Sequence, residues 1–391
     1  VTDKTPDFTL LQVVPALHTG GVEQTTLDVA AAVVRAGGRA IVASAGGRLE
    51  IGLVERGGES VKMPLDSKNP LVMAANAGRL QRLIQKEHVS LVHVRSRAPA
   101  FSAIRAARQA GVPVVTTYHG VYNAGSPIKR WYNGIMTRGD LTIANSEFTR
   151  AHLIGQHRVD PDRVVTIPRG VDLRKFSPAA VTPDRVATLR KAWRIAPDEG
   201  RLIVLLAGRL TRWKGQTLLI EALAALRAKT GRDDILLVFA GDDQGRVDYR
   251  NEIEHLAADK GLGDAVRIVG HVGDMPAAYL LADAAAAPSL DPEAFGRTAV
   301  EPQAMGRPVL AADHGAVRET VADGETGWRV KPRDVGAWAA ALNDLVDVGP
   351  DRRTAMGEAG RRWVQALYSL DRMTDLTLEV YRRVLAEGEK A

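Results

Sequence analysis

Three short segments carry the residue types and spacings that could do chemistry. The first is Ala207-Gly208-Arg209-Leu210-Thr211-Arg212-Trp213-Lys214-Gly215, directly after an unbroken apolar run at 202–207. Arg209 offers a planar fork to an oxyanion and Lys214 a point charge. Two cations in one loop ahead of a helix make a diphosphate cradle that needs no metal, although two solvated loop charges would read the same way. The second is Asp291-Pro292-Glu293-Ala294-Phe295-Gly296-Arg297-Thr298-Ala299-Val300-Glu301. Here Glu293 falls in a loop, and Glu301 falls about one turn into a helix that starts near Arg297 or Thr298. Gly296 would let backbone amides face a ligand, and a carboxylate is a good bidentate acceptor for the vicinal hydroxyls of a sugar or ribose. Two solvated carboxylates are the plain alternative.

The third is the turn His18-Thr19-Gly20-Gly21-Val22-Glu23. Gly20 and Gly21 let the backbone approach a ligand, and the free amides of a following helix favour an anion. The spacing is not G-x-G-x-x-G and no Gly-Lys-Ser/Thr follows, so neither a dinucleotide fingerprint nor a P-loop is present. A tight turn without a ligand stays open.

Other chemistries are excluded or weakly supported. The chain has no cysteine, which removes disulfide scaffolds, thiolate metal sites and a cysteine nucleophile. The only Asp-x-Asp, Asp160-Pro161-Asp162, precedes a short strand and reads as a turn, so no metal is expected. The polar start, Val1-Thr2-Asp3-Lys4-Thr5-Pro6-Asp7, lacks the apolar core of a signal peptide, and no apolar run approaches the ~18 residues of a membrane span. A cytoplasmic protein is the resulting expectation. Residues 1–180 hold 23 Lys/Arg and 14 Asp/Glu, whereas residues 181–391 hold 29 and 32. The basic front half and the segment from Lys129 to Arg138, with Trp131 and Tyr132 among its cations, suit peripheral contact with an anionic membrane. No nucleic-acid motif accompanies them.

The elements that must hold these segments alternate. Strands read at 10–16, 39–44, 89–94, 112–117, 141–144 and 164–167, with helices at 22–35, 71–87 and 99–110 between them. The second half repeats the pattern, with strands at 202–207, 235–240, 266–269, 284–288 and 308–311. Its helices read at 216–229, 249–260, 275–282 and 298–305, and everything from 335 onward reads as helical. Such alternation builds parallel sheets covered by helices on both faces. The expected architecture is α/β, with two doubly wound Rossmann-like domains that face a shared cleft at the carboxyl ends of their strands. The expected domains are 1–180 and 181–368, joined by a linker at 177–183.

Taken in order, the Gly-Gly-Val-Glu turn, the Gly-Arg-x4-Lys-Gly loop and the Glu-x7-Glu element resemble the retaining glycosyltransferases of family 4. So do Pro168-Arg169-Gly170-Val171-Asp172, Ala240-Gly241-Asp242 and Ala144-Asn145-Ser146-Glu147. The resemblance covers nearly the whole chain and implies the GT-B fold, with the terminal helix at 369–391 crossing back to the first domain. It further implies that Glu301 holds the ribose of a nucleotide-sugar, and that Arg209 and Lys214, beside Gly208, neutralise the departing diphosphate. Glu293 and the amides around Phe295, Gly296, Arg297 and Thr298 would hold the donor sugar. Gly21, with Gly20, would approach the phosphates, the backbone at Val272 would meet the base, and His119 would face the sugar near the reacting carbon.

The implied reaction is metal-independent and needs no cofactor, since the nucleotide-sugar, UDP-linked by preference, is a substrate. It retains the anomeric configuration without a carboxylate nucleophile, so paired-carboxylate glycosidase logic does not transfer. The implied acceptor is a lipid-linked or saccharide intermediate of cell-envelope glycan or glycolipid synthesis, met at the inner face of the cytoplasmic membrane. A nucleotide-sugar 2-epimerase and a catalytically silent nucleotide-sugar-binding protein are the alternatives. The chain departs from the family where Arg169 replaces a common asparagine, where Pro302 follows the second glutamate, in the first turn or so of its helix and near where proline is tolerated, and where Arg297 adds a cation.

Overall fold

The computed structural model describes residues 8–18, 20–122 and 125–388. The polar start at 1–7 and Thr19 of the glycine turn lie outside them.

The chain forms two compact units, Val1–Gly170 with Leu370–Ala391, and Val171–Ser369. The first is built on seven strands: β1 Thr9–Val13, β2 Arg39–Ser44, β3 Glu59–Lys62, β4 Leu91–Val94, β5 Val114–Tyr118, β6 Leu141–Ala144 and β7 Val164–Thr166. They lie in the order β3-β2-β1-β4-β5-β6-β7, and every ladder is parallel. The second unit has β8 Leu202–Ala207, β9 Ile235–Ala240, β10 Val266–Gly270, β11 Ala284–Ala287, β12 Val309–Ala312 and β13 Gly327–Val330, in the order β10-β9-β8-β11-β12-β13. It too is wholly parallel. In each sheet the order reverses beside the first strand, β1 or β8, the arrangement that gathers ligands at the strand ends in doubly wound sheets.

Apolar runs make the central strands because both faces are covered. Ile235–Ala240 is buried at all six positions, and Leu91–Val94 at all four. β3 (ESVK) and β13 (GWRV) escape the apolar-run criterion. Both are edge strands, and β3 has no fully buried residue.

The structure corrects two expectations. Residues 177–183 do not link the units. Val171, Phe176 and Val181 are buried in the core of the second unit, and the chain passes from one unit to the other at Gly170–Val171 and again at Ser369–Leu370. Apolar side chains at 171, 176 and 181 outweigh the Pro/Ala composition that suggested a linker. Pro302 is the sixth residue of the helix Arg297–Ala304 rather than a first-turn residue. It has no N–H to give to the Thr298 carbonyl, and the helix ends two residues later. The tail from Val335 is helical as expected, in three helices: Val335–Asp347, Gly349–Leu367 and Leu370–Gly388.

The last helix belongs to the first unit. Its Met373, Leu378, Val380, Tyr381 and Val384 are buried in one cluster with Phe8, Leu10 and Leu27. The Tyr381 ring stands edge-on to Phe8 with centroids 6.3 Å apart. Its hydroxyl lies 2.5 Å from His93 Nδ1.

Candidate active site

In the second unit the residues singled out from the sequence gather beyond β8 and β11. The β8 loop leaves the sheet at Gly208, turns through the 3-10 turn Arg212–Lys214 and enters the helix Gln216–Thr230. Gly241, after β9, lies so close that a Cβ there would come within 1.8 Å of the Gly208 carbonyl oxygen. A side chain at 241 would therefore push the two loops apart. Lys214 Nζ reaches Glu293 Oε1 at 2.5 Å, with both side chains largely buried. Ser289 Oγ donates to the same oxygen at 2.7 Å. Lys214 also stands over the Trp213 ring, 4.3 Å from its centroid. The Arg209 side chain is exposed, while its carbonyl accepts from Gln216 Nε2 at 3.1 Å.

Eight residues on, Glu301 is 8% exposed and sits one turn into its helix. Arg297 donates to Glu301 Oε1 from Nε at 2.9 Å and from Nη2 at 2.6 Å. The Tyr279 hydroxyl donates to Oε2 at 3.3 Å. Burial, together with the neighbouring carboxylate, holds the Tyr279 phenol well above its ordinary range, so this donor stays protonated. Gly296 caps the helix, with Thr298 in its first turn. The Phe295 side chain turns into the core, 5.8 Å from the Tyr368 ring, so only its backbone remains for a ligand. Val272 is half-buried against the same core.

Sequence reasoning missed the groups that brace Glu293. Gly315 has φ +60°, and a Cβ there would stand 2.6 Å from the Glu293 carbonyl oxygen. The Ala316 amide donates to that oxygen at 2.9 Å, and His314 Nε2 lies 2.9 Å from the Ser289 carbonyl oxygen. Ser289 could have been flagged, because only Pro288 separates it from the end of the apolar strand β11. His314 and Gly315 carry no local signal, since they come from the next strand-end loop.

In the first unit, Gly20 caps the helix Gly21–Arg35, whose first turn carries Glu23. His119 follows β5. Arg169 Nη2 lies 3.1 Å from His119 Nδ1, and Asn145 Nδ2 donates to the His119 carbonyl at 3.1 Å. Burial, then the charges of Arg169 and Arg95, hold the imidazole well below its ordinary pKa, hence neutral. Arg95, 2% exposed, donates from Nε to Gln12 Oε1 at 2.6 Å. His119, Arg95, Asn145, Arg169, His93 and Thr117 line one small cavity of about 20 Å³, room for about one water-sized group.

Among the described residues no group of three or more His, Asp or Glu side chains is arranged to hold a metal. Asp160-Pro161-Asp162 is a turn in which Asp160 Oδ1 accepts from the Asp162 amide at 3.0 Å.

Two parallel doubly wound units, one with a cation–carboxylate cluster beyond its strand ends, define a GT-B scaffold. Comparison with known proteins agrees. The family described as glycosyl transferases group 1 matches residues 189–363, and glycosyltransferase family 4 matches residues 19–175. The chain belongs to family 4 of the glycosyltransferases. It is 35% identical to a glycosyltransferase from Rickettsia africae ESF-5 of known crystal structure, with a TM-score of 0.89 over 97% of this chain and 99% of that one. It is 34% identical over 259 residues to the D-inositol 3-phosphate glycosyltransferase of Salinispora tropica, which is 65% of this chain and 53% of that enzyme. The match thus spans about half the length of that curated relative. Anabaena HepE, solved in complex with UDP, shares the fold at 22% identity, with a TM-score of 0.82 over 96% of this chain and all of that one.

Proposed function

We propose that the protein is a retaining, metal-independent glycosyltransferase that moves a sugar from a UDP-linked donor to a lipid-linked or saccharide acceptor in envelope glycan or glycolipid synthesis. The observation that carries this reading is the cluster of Lys214, Glu293 and Ser289 beyond β8 and β11, with Glu301 on the adjoining helix. Lys214 and the exposed Arg209 supply positive charge where a diphosphate would depart, the work a divalent ion does elsewhere. Glu293 Oε1 already accepts from Lys214 and Ser289, which suits a carboxylate that positions sugar hydroxyls better than a nucleophile. Glu301 keeps lone pairs beyond those used by Arg297 and Tyr279, enough to accept from ribose hydroxyls.

A cytoplasmic enzyme working at the inner membrane face is part of the proposal. Among the described residues no helix is long and apolar enough to cross a membrane. The helix Pro127–Asn133 exposes Ile128 at 79% and Trp131 at 58%, with Lys129 and Arg130 exposed beside them. Such a helix can rest on an anionic surface without entering it.

The experiment is a calorimetric panel of nucleotide-sugars, followed by product analysis with the best binder, with and without acceptors. Polyol phosphates belong in the acceptor panel, given the name of the Salinispora relative. Transfer with retained configuration supports the reading. A 2-epimerised sugar formed without acceptor, or binding without any turnover, replaces it with one of the two alternatives.

A further inference from the structure

We propose that Arg169 is a positioning residue that fixes His119 as a neutral ring with its proton on Nε2, so that the histidine offers a hydrogen-bond donor and cannot act as a base. This rests on the reading above that His119 serves the transferred sugar.

The argument is one of valence. An arginine only donates. The contact between Arg169 Nη2 and His119 Nδ1, at 3.1 Å, therefore requires a lone pair on Nδ1. A neutral imidazole with its lone pair on Nδ1 carries its proton on Nε2. His119 Nε2 is buried, with no hydrogen-bond partner among the described residues. Its N–H thus stands as an unused donor at the wall of the cavity.

The surroundings favour the same state. The groups packed round the ring are Arg169 after β7, Arg95 and His93 of the β4 segment, Asn145 after β6, and Thr25 of the first helix. Tyr381 of the last helix joins them through His93. Asp28, on the first helix, acts on Arg95 as a carboxylate. Among the described residues no carboxylate lines the cavity. A second proton on the ring would face two guanidiniums in a water-poor site.

Two neighbours are oriented as firmly. The His119 carbonyl requires a donor from Asn145, which leaves Asn145 Oδ1 as an unpartnered acceptor. Arg95 Nε is committed to Gln12, and its Nη2 is an unpartnered donor. His119 therefore joins Arg95 as a second donor, and Arg169 determines that it does.

The test is ¹⁵N NMR of the histidine side chains in the full-length chain without ligand, with His119 assigned by its loss in His119→Gln. The wild type should show His119 with an unprotonated Nδ1 and a protonated Nε2, unchanged between pH 5 and 8. Arg169→Gln keeps a donor for Nδ1 and should keep the tautomer. Arg169→Met removes it and should give mixed tautomers or a ring that titrates in that range. Circular dichroism checks that both variants fold. An Nδ1–H tautomer in the wild type, or an Arg169→Met spectrum identical to it, overturns the proposal. The result is separable from the reading it rests on. If the tautomer is as stated but His119→Gln transfers sugar at the wild-type rate, the lock stands and the role of His119 in transfer fails.

Discussion

The candidate site of the second unit is closed on itself electrostatically, whereas that of the first is left open. Beyond β8 and β11 each carboxylate already has its cation, Lys214 for Glu293 and Arg297 for Glu301. Beyond β4, β5 and β6, Arg95 Nη2, His119 Nε2 and Asn145 Oδ1 have no partner among the described residues, and none of those residues brings a carboxylate to their cavity. A ligand entering the first kind of site must exchange partners; under the proposed function its diphosphate would compete with Glu293 for Lys214. A ligand entering the second kind meets valences that are already free. The surfaces differ as well. Of the large apolar side chains exposed among the described residues, Ile51, Val54, Leu71, Val121, Ile128 and Trp131 belong to the first unit, and Val247 to the second.

The strongest way to break this comparison is to remove a paired cation. Lys214→Ala should lower kcat/KM at least about a hundredfold, on the order of 3 kcal/mol of transition-state stabilisation. Near-wild-type turnover would mean that the ion pair with Glu293 is structural and the diphosphate binds elsewhere. Of similar size is the surface contrast. Replacing Lys129, Arg130 and Arg138 with Ser should remove about 3 kcal/mol of attraction to anionic vesicles, at about 1 kcal/mol per cation. Wild-type co-sedimentation should also vanish at about 1 M salt, where the Debye length falls to about 3 Å. Equal binding to neutral vesicles would show that the basic face plays no part.

The open site also predicts a pH response. Burial holds the imidazoles of His93 and His119 well below their ordinary pKa. The unfolded chain takes up protons near pH 6.5 that the folded unit refuses, so their contribution is complete above about pH 6.5 and is lost as the pH falls below it. Each ring adds a slope of up to about 1.4 kcal/mol per pH unit. Hydrogen exchange in β1, β4 and β5 should quicken accordingly, and less so in His93→Gln. An unchanged slope in that variant would mean that His93 accepts a proton in place.

Smaller effects probe the closed site. Arg297→Ala should cost about 0.5 kcal/mol in urea denaturation, because the arginine is 40% exposed and the pair is screened. A loss of several kcal/mol would show that Glu301 cannot be solvated without it. Smallest of all, excess EDTA should leave transfer unchanged, and loss restored by Mg²⁺ or Mn²⁺ would refute a cation cradle that works alone.

The sequence was most legible where burial is two-sided. The apolar runs of β8 and β9 mark their strands residue for residue, because a parallel strand covered on both faces is apolar throughout. The placement of Glu293 in a loop and of Glu301 one turn into the following helix was legible. What could not be read locally is what distant loops supply. The loop after β12 braces Glu293 through the Ala316 amide and sets His314 against the Ser289 carbonyl, and Arg169 meets His119 across fifty residues of chain. The linker reading failed for a related reason. Composition at 177–183 is loop-like, but Val171, Phe176 and Val181 obey a core that lies elsewhere in the sequence.

The order of synthesis gives the last helix a further consequence. Leu370–Gly388 completes a unit whose other residues precede Val171, and about 200 residues of the second unit intervene. The backbone bridge between Val171 and Ser369 brings the two ends of that intervening stretch together, so it closes as an inserted module. At roughly 5–20 residues per second on a ribosome, the first sheet waits on the order of 10–40 s for Tyr381 and Val384 to cover Phe8 and Leu10. For that interval a nascent chain carries an uncovered apolar flank on its first unit.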